Sequence, residues 1–151
     1  LIDADMRRPA LSRLLMEKAN PGLSEVLGGI VYSHEAIRKD VYPNLDILFS
    51  GETPPNPSEL LGSDTMRELI DSMSQVYDYI LVDTPPVGVV SDASIVTSLL
   101  DGVLLLVRQG WARKETVKRA LENLERTGIK PLGYVLNGVD LDEKHFDHYY
   151  Y

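Results

Sequence analysis

The chain has 151 residues, 44% of them hydrophobic and 25% charged, which is the size and balance of one soluble globular domain. It contains no Cys, which excludes disulfide scaffolds, thiolate metal sites and cysteine nucleophiles and suits a cytoplasmic protein. Its 15 Lys and Arg stand against 23 Asp and Glu, a net charge of −8; that argues against nucleic-acid partners, and no apolar run approaches the ~20 residues of a membrane span.

The sequence opens at Leu1 on an apolar run, with no initiator Met and no basic-apolar leader, and reads as the interior of a domain. A short strand is predicted at 1–3. Pro9 then suits a first helical position, with Leu11, Leu14 and Leu15 spaced for one buried face. Further short helices are predicted at 23–27 and 33–38, the latter capped by Ser33, followed by a strand at 45–49. One long helix is predicted over 58–76, with Leu60, Leu61, Leu69, Ile70 and Met73 as its buried stripe. A strand at 79–83, a helix at 92–100 and a strand at 103–107 come next. A helix at 113–127 closed by Gly128 and a strand at 132–136 complete the pattern. Most strands are continuous apolar runs, as expected where both faces are covered in a parallel sheet. Strand alternating with helix predicts a doubly wound α/β domain with helices on both faces. From Asp140 the sequence turns polar and ends in Tyr149, Tyr150 and Tyr151. Residues 1–139 are therefore expected to form the domain and 140–151 a mobile tail.

Ligands of open α/β sheets bind at the carboxyl ends of the strands, and acids gather there. Leu-Ile-Asp-Ala-Asp puts Asp3 and Asp5 at the exit of the first strand, and Tyr-Ile-Leu-Val-Asp-Thr-Pro puts Asp83 at the exit of another. A rigid apolar strand ending in Asp is what holds a hard oxygen ligand near Mg²⁺, directly or through water. Taken singly, Asp83 also suits a turn before Pro85 and Pro86, and Asp3 and Asp5 suit caps of the helix after Pro9. The recurrence at two strand ends favours the ligand reading. The three His form no metal-binding pattern, Trp111 reads as a packing anchor, and Tyr77 and Tyr79 read as core.

These residues resemble the bacterial tyrosine kinases of capsule and exopolysaccharide synthesis, within the deviant P-loop ATPases. Leu-Ile-Asp-Ala-Asp-Met-Arg-Arg-Pro (1–9) is similar to their Walker A′ motif, Asp-x-Asp-x-Arg after an apolar run. The stretch 80–85 is similar to their Walker B motif, and Ser-Gly-Glu-Thr-Pro-Pro-Asn-Pro-Ser-Glu-Leu-Leu (50–61) to a segment characteristic of the family. The terminal tyrosines resemble its autophosphorylated cluster.

The resemblance implies a P-loop NTPase-like fold that uses ATP and Mg²⁺. Asp83 and Asp5 would bind the metal, and Asp3 would orient or deprotonate the attacking tyrosine hydroxyl; the roles of Asp3 and Asp5 are interchangeable at this stage. Arg7 would contact phosphate or pair with a neighbouring carboxylate. Asn137 would meet the adenine edge or form a turn before Gly138, and Arg108 would flank the base or ribose. Tyr149, Tyr150 and Tyr151 would accept phosphate in trans from neighbours, the tail docking into a neighbouring active site in a homo-oligomer. A membrane adaptor of the polysaccharide co-polymerase type would switch the kinase on, so that a cytoplasmic chain works at the membrane through its partner. The sequence departs from the family in one respect. No Gly-x-x-x-x-Gly-Lys-Ser/Thr occurs in 1–151, so the P-loop and its strand are expected upstream of Leu1, and these residues alone are expected to be inactive. Two other readings are a truncated, non-catalytic interaction module that keeps the surface and the tail, and a partitioning-type ATPase, which leaves the tyrosine tail and 54–61 unaccounted for.

Overall fold

The computed structural model describes residues 1–87, 92–126, 128–129 and 131–139. The fold is α/β, and it divides into two units, Leu1–Leu100 and Asp101–Tyr151. The expected tail at 140–151 lies outside the described residues.

In the first unit, β1 (Ile2–Asp3) pairs in parallel with β4 (Val82–Asp83), Ile2 opposite Val82 and Asp3 opposite Asp83. On its other side β1 meets the chain just beyond β3 (Leu45–Ile47): the Asp3 amide donates to Leu48 O and the Leu48 amide to Leu1 O, each at 2.9 Å. Adjacent parallel runs thus stand in the order 48, β1, β4, and their carboxyl ends share one rim.

Short helices follow β1: α1 (Leu11–Leu14), α2 (Leu23–Leu27) and α3 (Ser33–Ala36). Pro9 is not the first helical residue, because the chain is still turning there and Ala10 precedes the helix. Ser33 is likewise helical rather than a cap, and the Tyr32 amide is satisfied instead by Glu35 Oε2 at 2.8 Å. The expected helix 58–76 is two helices, α4 (Pro57–Leu61) and α5 (Asp64–Ser74). Ser63 breaks it, its hydroxyl accepting from the Met66 amide as the cap of α5. Most of the expected stripe is buried: Leu61, Leu69, Ile70 and Met73, joined by Met66, pack with Ile2, Met6, Leu23 and Leu48 in the core, while Leu60 is only partly buried against it. Helix α6 (Asp92–Thr97) adds Val96 to it. Tyr77 packs against this core, whereas Tyr79 is exposed.

Strand β2 (Arg38–Tyr42), which is antiparallel to β3, has only Val41 and Tyr42 after three charged residues and no apolar run in its sequence. Its anchor is polar. Asp46 Oδ2 accepts from Lys39 Nζ at 2.8 Å and Tyr77 OH at 2.6 Å, and Oδ1 accepts from the Asp40 amide at 2.8 Å. The bonds from Lys39 and then Tyr77 hold the Asp46 carboxyl down at about 2, below its ordinary 3.8. A depressed carboxyl contributes stability above its unfolded pKa and loses it as pH falls through the folded value. Asp46→Asn is expected to lower the melting temperature by a few degrees at pH 7 and to narrow the difference by pH 2, as thermal scans across that range will check.

In the second unit, β5 (Val103–Arg108) pairs in parallel with β6 (Pro131–Asn137), Arg108 opposite Asn137, and α7 (Lys114–Arg126) lies between them in sequence. Gly128, at φ 77°, donates its amide to Glu125 O at 3.0 Å and ends α7 as expected. Leu105, Ala120 and Leu124 are buried. The expectation of strands covered on both faces fails here, because Leu104, Leu106, Leu132, Tyr134 and Leu136 are exposed. Among the described residues no helix is long and apolar enough to cross a membrane.

Candidate active-site rim

The parallel register brings Asp3 and Asp83 level at the carboxyl ends of neighbouring strands. Asp3 is buried, 1% exposed. Its Oδ1 accepts from the Asp5 amide at 3.2 Å, while Oδ2 is buried with no hydrogen-bond partner. Burial raises the Asp3 carboxyl from 3.8 to about 6, and the charges of Asp83 and Asp5 add to the effect. Asp83 is more open to solvent, yet partial desolvation and the neighbouring Asp5 charge still raise it. Asp5 Oδ1 accepts from the amides of Arg7 at 3.2 Å and Arg8 at 3.0 Å, so the Asp-x-Arg spacing closes a turn on that carboxylate. The charges of Asp83 and Asp5 thus act on Asp3, and that of Asp5 acts on Asp83.

Arg7 does not face them. Its Nε donates to Asp92 Oδ2 at 2.6 Å and its Nη2 to Asp92 Oδ1 at 3.1 Å and Ser58 Oγ at 3.0 Å. Of the two readings of Arg7, the ion pair is the one observed. Ser58 Oγ donates to Asp92 Oδ1 at 2.5 Å. Asp92 is 1% exposed, and the Arg7 bond holds its carboxyl below the ordinary range. Neither Asp92 nor Ser58 stands out as a site residue in the sequence. The signals were an acid opening a predicted helix, which reads as an ordinary first-turn residue, and a Ser within the 50–61 segment.

A divalent cation fits this rim in part. The orphaned oxygen of Asp3, and the negative charges of Asp5 and Asp83 beside it, are what a cation would satisfy. Among the described residues, however, no three acids stand close enough to hold a metal by themselves. Mg²⁺ asks for less, since it is held by one or two carboxylates with water and substrate phosphate.

In the second unit Arg108 and Asn137 end β5 and β6 side by side, both exposed. The Asn137 carbonyl oxygen of the side chain accepts from the Gly138 amide at 2.8 Å, so the turn contact is formed. The Arg108 guanidinium stacks 4.6 Å over the Trp111 ring. Trp111 is 77% exposed and is not a packing anchor. Tyr149, Tyr150 and Tyr151 lie outside the described residues.

The chain is 38% identical over all 151 residues to the tyrosine-protein kinase YwqD of Bacillus subtilis, covering 63% of that protein. Over 141 residues it is 36% identical to the tyrosine-protein kinase CpsD of Streptococcus agalactiae, covering 93% of this chain and 62% of the relative. It superposes on the VpsO kinase domain with a TM-score of 0.86 at 31% identity, covering 92% of this chain and 69% of that one. The chain belongs to the bacterial tyrosine kinases. The kinase domain of the Escherichia coli tyrosine kinase ETK superposes with a TM-score of 0.88 at 38% identity, covering 93% of this chain and 55% of that one. No family model matches the chain. The P-loop NTPase-like α/β fold expected from the sequence is thus the fold that these residues share with the kinase domains they superpose on. The chain spans 63% and 62% of the length of YwqD and CpsD.

Proposed function

We propose that this chain is the greater part of an ATP-dependent protein-tyrosine kinase that phosphorylates tail tyrosines of its neighbours and regulates capsule or exopolysaccharide synthesis. One observation carries the reading: a buried carboxylate with a free oxygen, Asp3, level with Asp83 at the carboxyl rim of parallel strands. Asp83 and Asp5 are the carboxylates to hold Mg²⁺, which when bound would neutralise charge on the β- and γ-phosphates. Asp3 orients the acceptor tyrosine and takes its hydroxyl proton as the phenolic oxygen bonds to the γ-phosphorus and ADP departs. A carboxyl raised to about 6 suits that work better than an ordinary one, because it is ionised at neutral pH and more basic. Arg108 and Asn137 are the residues to meet the base and ribose. The phosphate-cradling loop is supplied from outside these 151 residues. A membrane adaptor of the co-polymerase type recruits the cytoplasmic kinase, and each added phosphate, about −1.5 to −2 in charge, weakens tail-mediated docking between copies.

The test uses the native-length protein with ATP and Mg²⁺. Phosphotyrosine is expected, dependent on Mg²⁺, and replacing Tyr149, Tyr150 and Tyr151 by Phe is expected to remove most of it while leaving ATP affinity unchanged. ATP hydrolysis without any phosphotyrosine would favour the partitioning-type ATPase, and the absence of both would favour an interaction module.

A further inference from the structure

We infer that Asp92 is a positioning residue for the transfer proposed above: through Arg7 it fixes the carboxylate of Asp5, and its bond from Ser58 ties Asp92 and Arg7 to the 50–61 segment. The inference rests on the proposed kinase reading. Three separate elements meet at one buried carboxylate, namely the turn after β1, the first turn of α4 and the start of α6. Both oxygens of Asp92 are used. Oδ2 takes Arg7 Nε at 2.6 Å, and Oδ1 takes Arg7 Nη2 at 3.1 Å and Ser58 Oγ at 2.5 Å. This two-point fork fixes the plane of the guanidinium as a single ammonium cannot.

What the fork fixes is then handed to the rim. The backbone amide of the same Arg7 donates to Asp5 Oδ1, and the Arg8 amide donates to the same oxygen. With Oδ1 engaged by two donors, the rotation of the Asp5 carboxylate is set, and its other oxygen is presented in a fixed direction. Arg7 is itself partly exposed, its side chain 40% accessible, so the pair is not a plug for the core. The chemistry is that of an outer-shell partner orienting a metal-binding carboxylate, whose loss typically costs 10- to 100-fold in affinity or activity. It also accounts for two sequence features that the rim alone leaves idle: the Arg of Asp-x-Asp-x-Arg, and the Ser of Pro-Pro-Asn-Pro-Ser-Glu-Leu-Leu.

The experiment measures Mg²⁺ binding by titration calorimetry in the presence of ADP, and phosphotransfer by the native-length protein against Mg²⁺ concentration, for wild type, Asp92→Asn, Arg7→Lys, Ser58→Ala and the Asp92→Asn/Arg7→Lys pair. Asp92→Asn is expected to lower kcat about 10- to 100-fold and to raise the Mg²⁺ needed for half-maximal rate, with KM for the acceptor nearly unchanged. Arg7→Lys is expected to move both in the same direction, and the pair is expected to be no worse than Asp92→Asn alone, because both break one connection. An Asp92→Asn protein with unaltered Mg²⁺ dependence, or one whose lost rate equals its unfolded fraction, overturns the inference. If Asp92→Asn does not fold, Arg7→Lys and Ser58→Ala decide, and an unshifted Mg²⁺ requirement in both overturns it. A wild-type protein without Mg²⁺-dependent transfer instead overturns the kinase reading on which the inference stands.

Discussion

Asp3→Asn is expected to remove about 10²- to 10⁴-fold of the phosphotransfer rate and, in the same protein freed of metal, to raise the melting temperature at pH 7.5. The two effects have one cause. Asp3 is buried, one of its oxygens has no partner, and Asp5 and Asp83 add negative charge nearby. An ionised carboxylate in that position costs stability, which a neutral amide of the same shape largely restores. The pH dependence follows from the direction of the shift. A carboxyl raised from 3.8 to about 6 binds its proton more tightly in the folded state, so the wild-type fold gains stability as pH falls from above 6 toward 4. The advantage of Asn, on the order of 3 °C at pH 7.5 for a chain of this size, should therefore shrink through that window and vanish near pH 4. Added Mg²⁺ should stabilise wild type more than the variant. Asp83→Asn is expected to lose comparable activity with a smaller gain in stability, since Asp83 is more exposed. Thermal scans in chelator at pH 7.5, 6, 5 and 4 are the measurement. An Asn variant that melts lower than wild type at pH 7.5 contradicts the argument, because the buried charge would then be a stabilising group.

The sequence exposes the rim and conceals what supports it. An apolar run ending in Asp is a one-dimensional pattern, so Asp3 and Asp83 could be found without knowing which strands pair. Asp92 could not, since its meaning comes from Arg7, 85 positions away, and a lone acid at the start of a helix is ordinary. The same separation of scales explains the fold. The buried stripe of 60–73 follows from helical spacing and was legible. The break at Gly62 and Ser63 was not, because a cap competes locally with a helix that the apolar pattern would carry through. Strand β2 reads as Arg-Lys-Asp-Val-Tyr, too polar to give an apolar run, and is held by the distant carboxylate of Asp46. In β5 and β6 the apolar run marks a strand, but the inference from apolar composition to two covered faces does not hold for Leu104, Leu106 and Leu136.

Gly22→Ala is expected to destabilise the protein by about 3 kcal/mol, beyond most single substitutions, although Gly22 has an extended backbone that any residue adopts. The cost is one of space. A Cβ there would meet the Gly51 amide nitrogen, Phe49 O at 2.5 Å and Gly51 Cα at 2.6 Å, all of them backbone atoms. They cannot withdraw without breaking the bonds that join α2 to the chain after β3. The Leu23 amide donates to Phe49 O at 2.7 Å and the Ser24 amide to Ser50 O at 3.0 Å. Glu25 closes the other side, accepting from the amides of Gly22 at 2.7 Å and Glu52 at 3.0 Å. Gly29 is the natural control, with the opposite constraint: it has φ 68° and open space where a Cβ would go, so Gly29→Ala should cost only the ~1–2 kcal/mol of a left-handed conformation. Because Leu48, just before Phe49, bonds to β1 at Asp3, the displaced backbone at 49–51 should also disturb the acid rim. Denaturant unfolding of both variants will separate the two effects, and a Gly22→Ala protein as stable as Gly29→Ala would show that the contact between 22 and 51 yields at little cost.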